Sequence, residues 1–133
     1  MIEHRLRYRV PYAEVDQMGV VYYGHYLTYF ERGRTELLRS HGLPYGELEP
    51  DGVLLPVIQA HCDYLKPARY EDELTITTRA AAMQGVRLRF DCEIYRADGL
   101  LARGYTWHVS TTTAGKPCRI PRVLVALFSA VTA

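Results

Sequence analysis

The chain has 133 residues, and its 16 Lys and Arg against 15 Asp and Glu leave a net charge of +1. This balance excludes a general electrostatic attraction to nucleic acid or to an anionic membrane, and the length fits one domain, residues 1–133, with a core of its own. The N-terminus is charged, no apolar run is long enough to cross a bilayer, and the three cysteines form no CxxC pair, so we expect a cytoplasmic protein with reduced thiols.

Alternation of apolar and polar residues predicts a first strand in "HRLRYRV", residues 4–10. A helical period follows over residues 24–41, where Tyr26, Phe30 and Leu37 recur on one face and Gly42 ends the helix. Gly33 lies on the same face and predicts a close approach of this helix to a sheet. The Gly- and Pro-rich segment 42–52 is predicted to be a surface loop that could act as a lid.

The second half of the chain alternates again, which predicts strands at 58–64, 74–80, 86–95 and about 101–112. The Asp98-Gly99 pair marks a hairpin before the last of them. Pro121 then opens a short amphipathic helix with Val123, Leu124, Leu127 and Phe128 on one side. A lone long helix beside strands that each have one apolar face predicts an α+β fold in which a curved five-stranded antiparallel sheet wraps around the helix.

Two motifs carry a family resemblance. The first, "Y-x-x-x-D-Q-M-G-V-V-Y-Y-x-x-Y-L-x-Y-F-E-x-x-R-x-E", spans residues 12–36, and the second, "D-Y-L-K-P-A-R-Y-E-D-E-L", spans residues 63–74. Together they resemble the hotdog-fold acyl-CoA thioesterases of the 4-hydroxybenzoyl-CoA thioesterase type, particularly the YbgC-like branch. The resemblance implies a hotdog fold, a small-molecule acyl-CoA as substrate and no separate cofactor, because coenzyme A belongs to the substrate. It also implies a homodimer with a continuous sheet, often paired into a homotetramer, with active sites at the dimer interface.

The same resemblance assigns the catalytic acid to Asp16 and the wall that meets the thioester carbonyl to residues 19–23. The chain departs from the YbgC-like pattern at Tyr23-Gly24-His25, where those relatives have His-Ala-Asn. A mechanism that needs histidine at position 23 therefore does not transfer, and the role of His25 stays open between a pocket residue and a structural one.

Thioester hydrolysis requires a nucleophile and donors for the negative charge that develops on the carbonyl oxygen. Unpaired N–H groups at the start of the helix, from about Val21 to Gly24, are predicted to supply those donors. Asp16 would act as general base toward water or attack directly, and the sequence does not separate these routes. The predicted substrate and oxyanion residues are Gly19, Val21, Tyr22, Tyr23, Gly24 and His25.

Other interpretations of the same residues stay open. Asp16 can also be a loop acid or a helix cap, and Glu31 on the helix is a competing carboxylate. Arg79, Arg87 and Arg89 are basic candidates for the phosphates of coenzyme A, although arginines on a strand face usually serve solubility. No His, Asp and Glu set has metal-ligand spacing, so we expect no metal. A non-catalytic module that binds acyl-CoA or acyl carrier protein is the alternative function.

Overall fold

The computed structural model describes residues 2–43 and 52–132, with side chains at 2–43 and 52–128. The elements in chain order are β1 (Glu3–Arg9), a single 3-10 turn (Tyr12–Glu14), α1 (His25–Ser40), β2 (Val57–Tyr64), β3 (Glu73–Gln84), β4 (Arg87–Arg96), β5 (Gly99–Val109) and α2 (Arg122–Thr132). The five strands form one antiparallel sheet in the order β1-β3-β4-β5-β2. Most of the predicted lid, residues 42–52, lies outside the described residues.

The predicted fold is confirmed: one long helix lies in a five-stranded antiparallel sheet, and a short helix follows at the C-terminus. Tyr29 and Phe30 of α1 are fully buried in a cluster with Ile76 of β3 and Ile94 of β4. A second cluster joins the end of α1 to α2 through Leu37, Leu38, Phe90, Leu124, Leu127 and Phe128. The apolar stripe of each helix thus covers the apolar face of the sheet, which is the main source of stability in such a fold.

The close approach predicted at Gly33 is also confirmed. A Cβ atom at this position would lie 2.2 Å from Thr78 Oγ1 and 3.0 Å from Ile76 Cγ2 on β3. Only a residue without a side chain lets the α1 backbone pack this near the strand.

Several predicted boundaries and exposures differ from the structure. β3 continues to Gln84 past an irregularity in its pairing with β4 at residues 80–82. β5 begins at Gly99 and ends at Val109, and the N–H of Ser110 still donates to Val86 O at 2.8 Å in the register of the β4–β5 pairing. Val123 was predicted on the apolar side of the C-terminal helix, but it is 48% exposed.

The largest difference concerns β2, the edge strand, which among the described strands pairs with β5 alone. Its alternation predicted a covered apolar side, yet Ile58, Ala60 and Tyr64 are all exposed and only Cys62 is half-buried. The described part of the chain covers little of this strand, because α1 packs mainly against β1 and β3 at the other edge of the sheet. β2 therefore offers both its free backbone edge and its apolar side to another surface.

Candidate active site

The loop that carries Asp16 is a tight turn closed by the chain itself. Val15 and Val21 form an isolated antiparallel bridge, the N–H of Asp16 donates to Val20 O at 2.9 Å, and the N–H of Gly19 donates to Asp16 O at 3.0 Å. Gly19 has φ +79°, a conformation that glycine adopts without strain. The turn fixes the backbone of Asp16 independently of the neighbouring side chains.

The Asp16 carboxylate is half-buried, and its Oδ1 accepts the N–H of Met18 at 2.8 Å. Within residues 2–43 and 52–128, no side chain donates a hydrogen bond to this carboxylate and no cation forms an ion pair with it. A hydrogen bond with Tyr23 and, as the smallest cause, the negative charge of Asp16 raise the pKa of Tyr22. One oxygen of Asp16 is thus bonded within the turn, and the other has no hydrogen-bond partner among the described residues.

The structure narrows the set of unpaired N–H groups predicted between Val21 and Gly24. The prediction is wrong for two of them, because the N–H of Val21 donates to Ala68 O at 2.8 Å and that of Tyr22 donates to Glu14 O at 3.0 Å. Among the described residues, the N–H groups of Tyr23 and Gly24 find no acceptor. These two donors stand directly before the first residue of α1, where the helix dipole favours negative charge.

Glu14 anchors this region and was not among the predicted site residues. Its Oε2 accepts the hydroxyl of Tyr8 at 2.7 Å, and its Oε1 accepts that of Tyr29 at 2.6 Å, so one carboxylate joins β1, the turn and α1. Burial and the hydrogen bond to Glu14 raise the pKa of Tyr8 to about 12. The available signal was that Tyr8 and Tyr29 both face the core, where a phenol needs an acceptor.

An aromatic cleft of about 250 Å³ opens beside the helix start. Tyr23, Tyr26 and Tyr64 line it together with Val20, Val21 and residues 65–67. The ring of Tyr64 meets that of Tyr26 edge-on at 5.0 Å, and its hydroxyl donates to Tyr23 O at 3.1 Å. The cleft is therefore apolar along its walls and polar where it reaches the helix start.

His25 is half-buried, and its ring lies edge-on to that of Tyr22 at 6.0 Å. No hydrogen bond joins it to Asp16 within the described part of the chain. Its placement fits a residue that packs at the rim of the site.

The three arginines considered for coenzyme A lie on the face of the sheet opposite α1. Arg79 forms ion pairs with Glu3, at 2.8 Å, and with Glu93, whereas Arg89 pairs with Asp91 at 2.9 Å. The guanidinium of Arg87 lies 4.7 Å from the ring centre of Trp107. The structure does not bring these residues together with Asp16, and their role toward coenzyme A stays a prediction.

Glu31, the competing acid, lies six residues into α1 and is exposed. It borders a second cavity of about 480 Å³ that is also lined by Arg34, Leu55 and His108. A position six residues into a helix is about 9 Å along the axis from its first residue. Glu31 therefore stands apart from the two free N–H groups.

His108, to which the sequence analysis assigned no role, is 3% exposed and fully bonded. One ring nitrogen lies 2.9 Å from Leu55 O and the other 2.9 Å from Thr106 Oγ1, which in turn accepts a hydrogen bond from Arg34 at 3.4 Å. Burial is the largest cause that lowers the pKa of His108, from 6.5 to about 4. The folded protein holds this imidazole neutral.

We expect His108 to make stability fall with acidity. Since its pKa is lowered on folding from 6.5 to about 4, its contribution is complete above pH 6.5 and is lost as pH falls toward 4. The loss amounts to about 3 kcal/mol over that interval at about 1.4 kcal/mol per pH unit. Urea unfolding of wild type and His108→Gln should show a difference in unfolding free energy that shrinks from pH 7 to pH 4. Parallel pH curves would contradict this assignment.

The described residues contain neither a metal-binding cluster nor a membrane-spanning helix. No group of three or more His, Cys, Asp and Glu side chains is arranged to hold a metal ion. Likewise, no helix there is both long and apolar enough to span a membrane.

Comparisons with known proteins agree with the fold. A family model described as "Thioesterase superfamily" matches residues 18–103. The chain is 34% identical over 122 residues to the acyl-CoA thioester hydrolase YbgC of Escherichia coli O6:H1, covering 90% of this chain and 91% of that protein. It is 29% identical to the acyl-acyl carrier protein thioesterase ATL3 of Arabidopsis thaliana over 94% of this chain and 67% of that protein. A crystal structure of a DHNA-CoA thioesterase from Staphylococcus aureus superposes with a TM-score of 0.92 at 28% identity, covering 99% of this chain and 92% of that one.

Proposed function

The chain belongs to the thioesterase superfamily and is a thioester hydrolase, and we propose that it cleaves acyl-CoA to the free acid and coenzyme A with Asp16 as the catalytic carboxylate. The observation that carries this proposal is the pair of free N–H groups of Tyr23 and Gly24 beside a turn that holds Asp16 with one carboxylate oxygen free. A thioester carbonyl at the helix start would receive donors on its oxygen and a base near its carbon.

The proposed reaction needs water and no cofactor. Asp16 removes a proton from water, the oxygen attacks the thioester carbon, and the charge on the carbonyl oxygen is stabilised by the N–H groups of Tyr23 and Gly24. The intermediate then expels the coenzyme A thiolate, which leaves easily and takes up a proton. In the alternative route Asp16 attacks the carbon itself, and water opens the resulting mixed anhydride.

The aromatic cleft of Tyr23, Tyr26 and Tyr64 is the proposed seat of the acyl group. Its apolar walls would bury an acyl chain or ring, and its polar end lies at Tyr23, where the donors begin. The turn and the rim of the cleft are shaped by Gly19, Val21, Tyr22 and His25. We no longer propose the N–H groups of Val21 and Tyr22 as donors to the carbonyl oxygen. We keep the cytoplasmic location and the single domain over 1–133 as predictions.

We further propose that the working unit is a homodimer, which pairs into a homotetramer. The support is the uncovered edge of β2, where Val57 and Ile58 are 48% and 49% exposed, together with Leu27 of α1 at 41%. An unpaired edge strand with an apolar side is suited to continue its sheet into a second copy. Such a dimer would also cover a groove between α1 and β2 that is lined by Leu27, Thr28, Val57 and Ala60.

A panel of acyl thioesters tests the proposed activity. Short, medium and long aliphatic acyl-CoA, aromatic acyl-CoA and an acyl carrier protein thioester are each mixed with the protein, and free thiol is measured with a chromogenic disulfide. We expect release from at least one acyl-CoA, since the comparisons include both coenzyme A and carrier-protein thioesterases. If no substrate is cleaved while a non-hydrolysable S-alkyl-CoA still binds, the chain is the non-catalytic binding module instead.

A further inference from the structure

We infer that Tyr64, at the end of the edge strand, is a positioning residue that orients the Gly24 N–H toward the substrate carbonyl. This inference rests on the proposed function, because it assigns a task to one of the two oxyanion donors. In the proposed function Tyr64 only lines the acyl cleft, and no residue of β2 has a role at the carbonyl oxygen. The contacts of Tyr64 supply the reason to add one.

The key contact is the hydrogen bond from the Tyr64 hydroxyl to Tyr23 O, at 3.1 Å. The carbonyl of residue 23 and the N–H of residue 24 belong to one planar peptide unit and point in opposite directions. A donor that fixes the carbonyl therefore also fixes the direction of the Gly24 N–H. The N–H of Tyr26 donates to the same oxygen at 3.2 Å, so the peptide is held from two sides.

The ring of Tyr64 is itself held in place. It meets Tyr26 edge-on at 5.0 Å and Tyr23 at 6.4 Å, and Tyr26 is buried, with its own hydroxyl accepting the N–H of Ala68 at 3.2 Å. The backbone of Tyr64 pairs with Ala102 of β5. The hydroxyl is thus carried by the sheet and reaches the helix start from outside the helix.

The chemistry of the phenol suits this task across the range of an assay. Burial is the largest cause that raises the pKa of Tyr64 to about 12, so the hydroxyl keeps its proton and stays a donor. A hydrogen bond to a peptide carbonyl also polarises that peptide and strengthens its N–H as a donor. Tyr64 would therefore act on both the direction and the strength of the Gly24 donor.

Removing the hydroxyl while keeping the ring tests the inference. In Tyr64→Phe we expect kcat to fall on the order of fivefold to tenfold, which is the effect of losing one hydrogen bond that acts through another group. KM should change less than about twofold. The pH profile of kcat should keep its shape, because Asp16 is untouched. Tyr70→Phe is the matched control, since Tyr70 is an exposed tyrosine that pairs edge-on with Tyr12 at 5.5 Å. It should match wild type.

A spectroscopic measurement separates positioning from packing. A ketone analogue of acyl-CoA, with a methylene between sulfur and a ¹³C-labelled carbonyl, is bound to wild type and to each variant, and the infrared carbonyl stretch is compared with that in buffer. We expect a shift to lower frequency in wild type, a smaller shift in Tyr64→Phe and the wild-type shift in Tyr70→Phe, with circular dichroism confirming that all three are folded.

The outcomes are distinguishable. An equal shift in wild type and Tyr64→Phe, or an unchanged kcat, overturns the role of Tyr64 and leaves the proposed function standing. An unshifted carbonyl in wild type overturns the oxyanion site itself, and the role of Tyr64 with it. A fall in kcat with a matching rise in KM and an unchanged shift would show that Tyr64 only shapes the cleft, which also contradicts positioning.

Discussion

Replacing Asp16 with Asn is expected to lower kcat by about a hundredfold to ten-thousandfold, the usual contribution of a positioned general base. The amide oxygen of Asn can still accept the N–H of Met18, so the turn closed by Val15 and Val21 should persist. Only the charge and basicity of the side chain are lost. KM for the best substrate of the panel should therefore stay near the wild-type value, as expected for an interaction made only in the transition state.

Glu31→Gln is the matched control for this change. It also converts an acid to its amide, but on an exposed position of α1 away from the free N–H groups. Thiol release should be near wild type in Glu31→Gln and nearly absent in Asp16→Asn. The reverse pattern would move the catalytic carboxylate onto the helix, and wild-type rates in both variants would remove carboxylate catalysis from the proposal.

A rapid-quench experiment divides the two routes open to Asp16. If Asp16 attacks the substrate directly, a single turnover quenched in acid should give protein carrying the mass of one acyl group on the peptide that contains Asp16. If Asp16 only activates water, the protein mass should stay unchanged while product forms. Asp16→Asn should show no adduct on either route, since an amide is a poor nucleophile and a poor base.

The periodicity of apolar residues predicted the fold because most apolar faces in this chain are buried against other elements of the same chain. The helical spacing of Tyr26, Phe30 and Leu37 placed α1 within a residue of its observed ends, and Gly33 correctly marked the contact with β3. The same reasoning failed at β2, where the apolar side of Ile58 is exposed. Alternation reports that a strand has an apolar side, but it does not report which surface covers that side.

The sequence predicted the parts of the candidate site that depend on side chains. It did not predict the parts that depend on backbone hydrogen bonds. Asp16 and the turn at Gly19 follow from the motif and from glycine's conformational freedom, and the structure arranges both as a closed turn. The donors could not be assigned, because the acceptors that remove Val21 and Tyr22 from the set are backbone carbonyls. Every residue has such a carbonyl, so no sequence pattern distinguishes the ones that fold back onto the helix start.

Among the described glycines whose φ is not positive, Gly104 is the one whose replacement by Ala is expected to lower the free energy of unfolding most. A Cβ on Gly104 would lie 1.9 Å from His61 O and 2.9 Å from Phe30 Cε2. The first of these atoms is backbone, and it belongs to the β2 strand that pairs with β5. No rotation of a side chain can remove the overlap, so the pairing of β2 with β5 must shift, at a cost of about 3 kcal/mol or more.

Gly33→Ala is the comparison that separates a clash with a side chain from the clash with backbone expected in Gly104→Ala. Its Cβ would lie 2.2 Å from Thr78 Oγ1, which is a side-chain atom, and alanine recovers up to about 1 kcal/mol of helix propensity at this position. We therefore expect a loss of about 1 to 2 kcal/mol in Gly33→Ala, clearly below that in Gly104→Ala. Urea unfolding of both variants beside wild type measures the two losses, and a larger loss in Gly33→Ala would contradict the backbone origin of the effect.

The two variants should also differ in where the structure opens. In Gly104→Ala, amide hydrogen exchange should quicken first along β2, because among the described strands of one subunit β2 pairs with β5 alone, while β3 and β4 keep their protection. Since Tyr64 ends β2, the same variant should lower kcat more than its remaining folded fraction explains. Gly33→Ala should instead loosen α1 against β3 and leave β2 protected. Uniform exchange across the sheet in Gly104→Ala would contradict a local opening of β2, and a kcat explained by the folded fraction alone would contradict the effect through Tyr64.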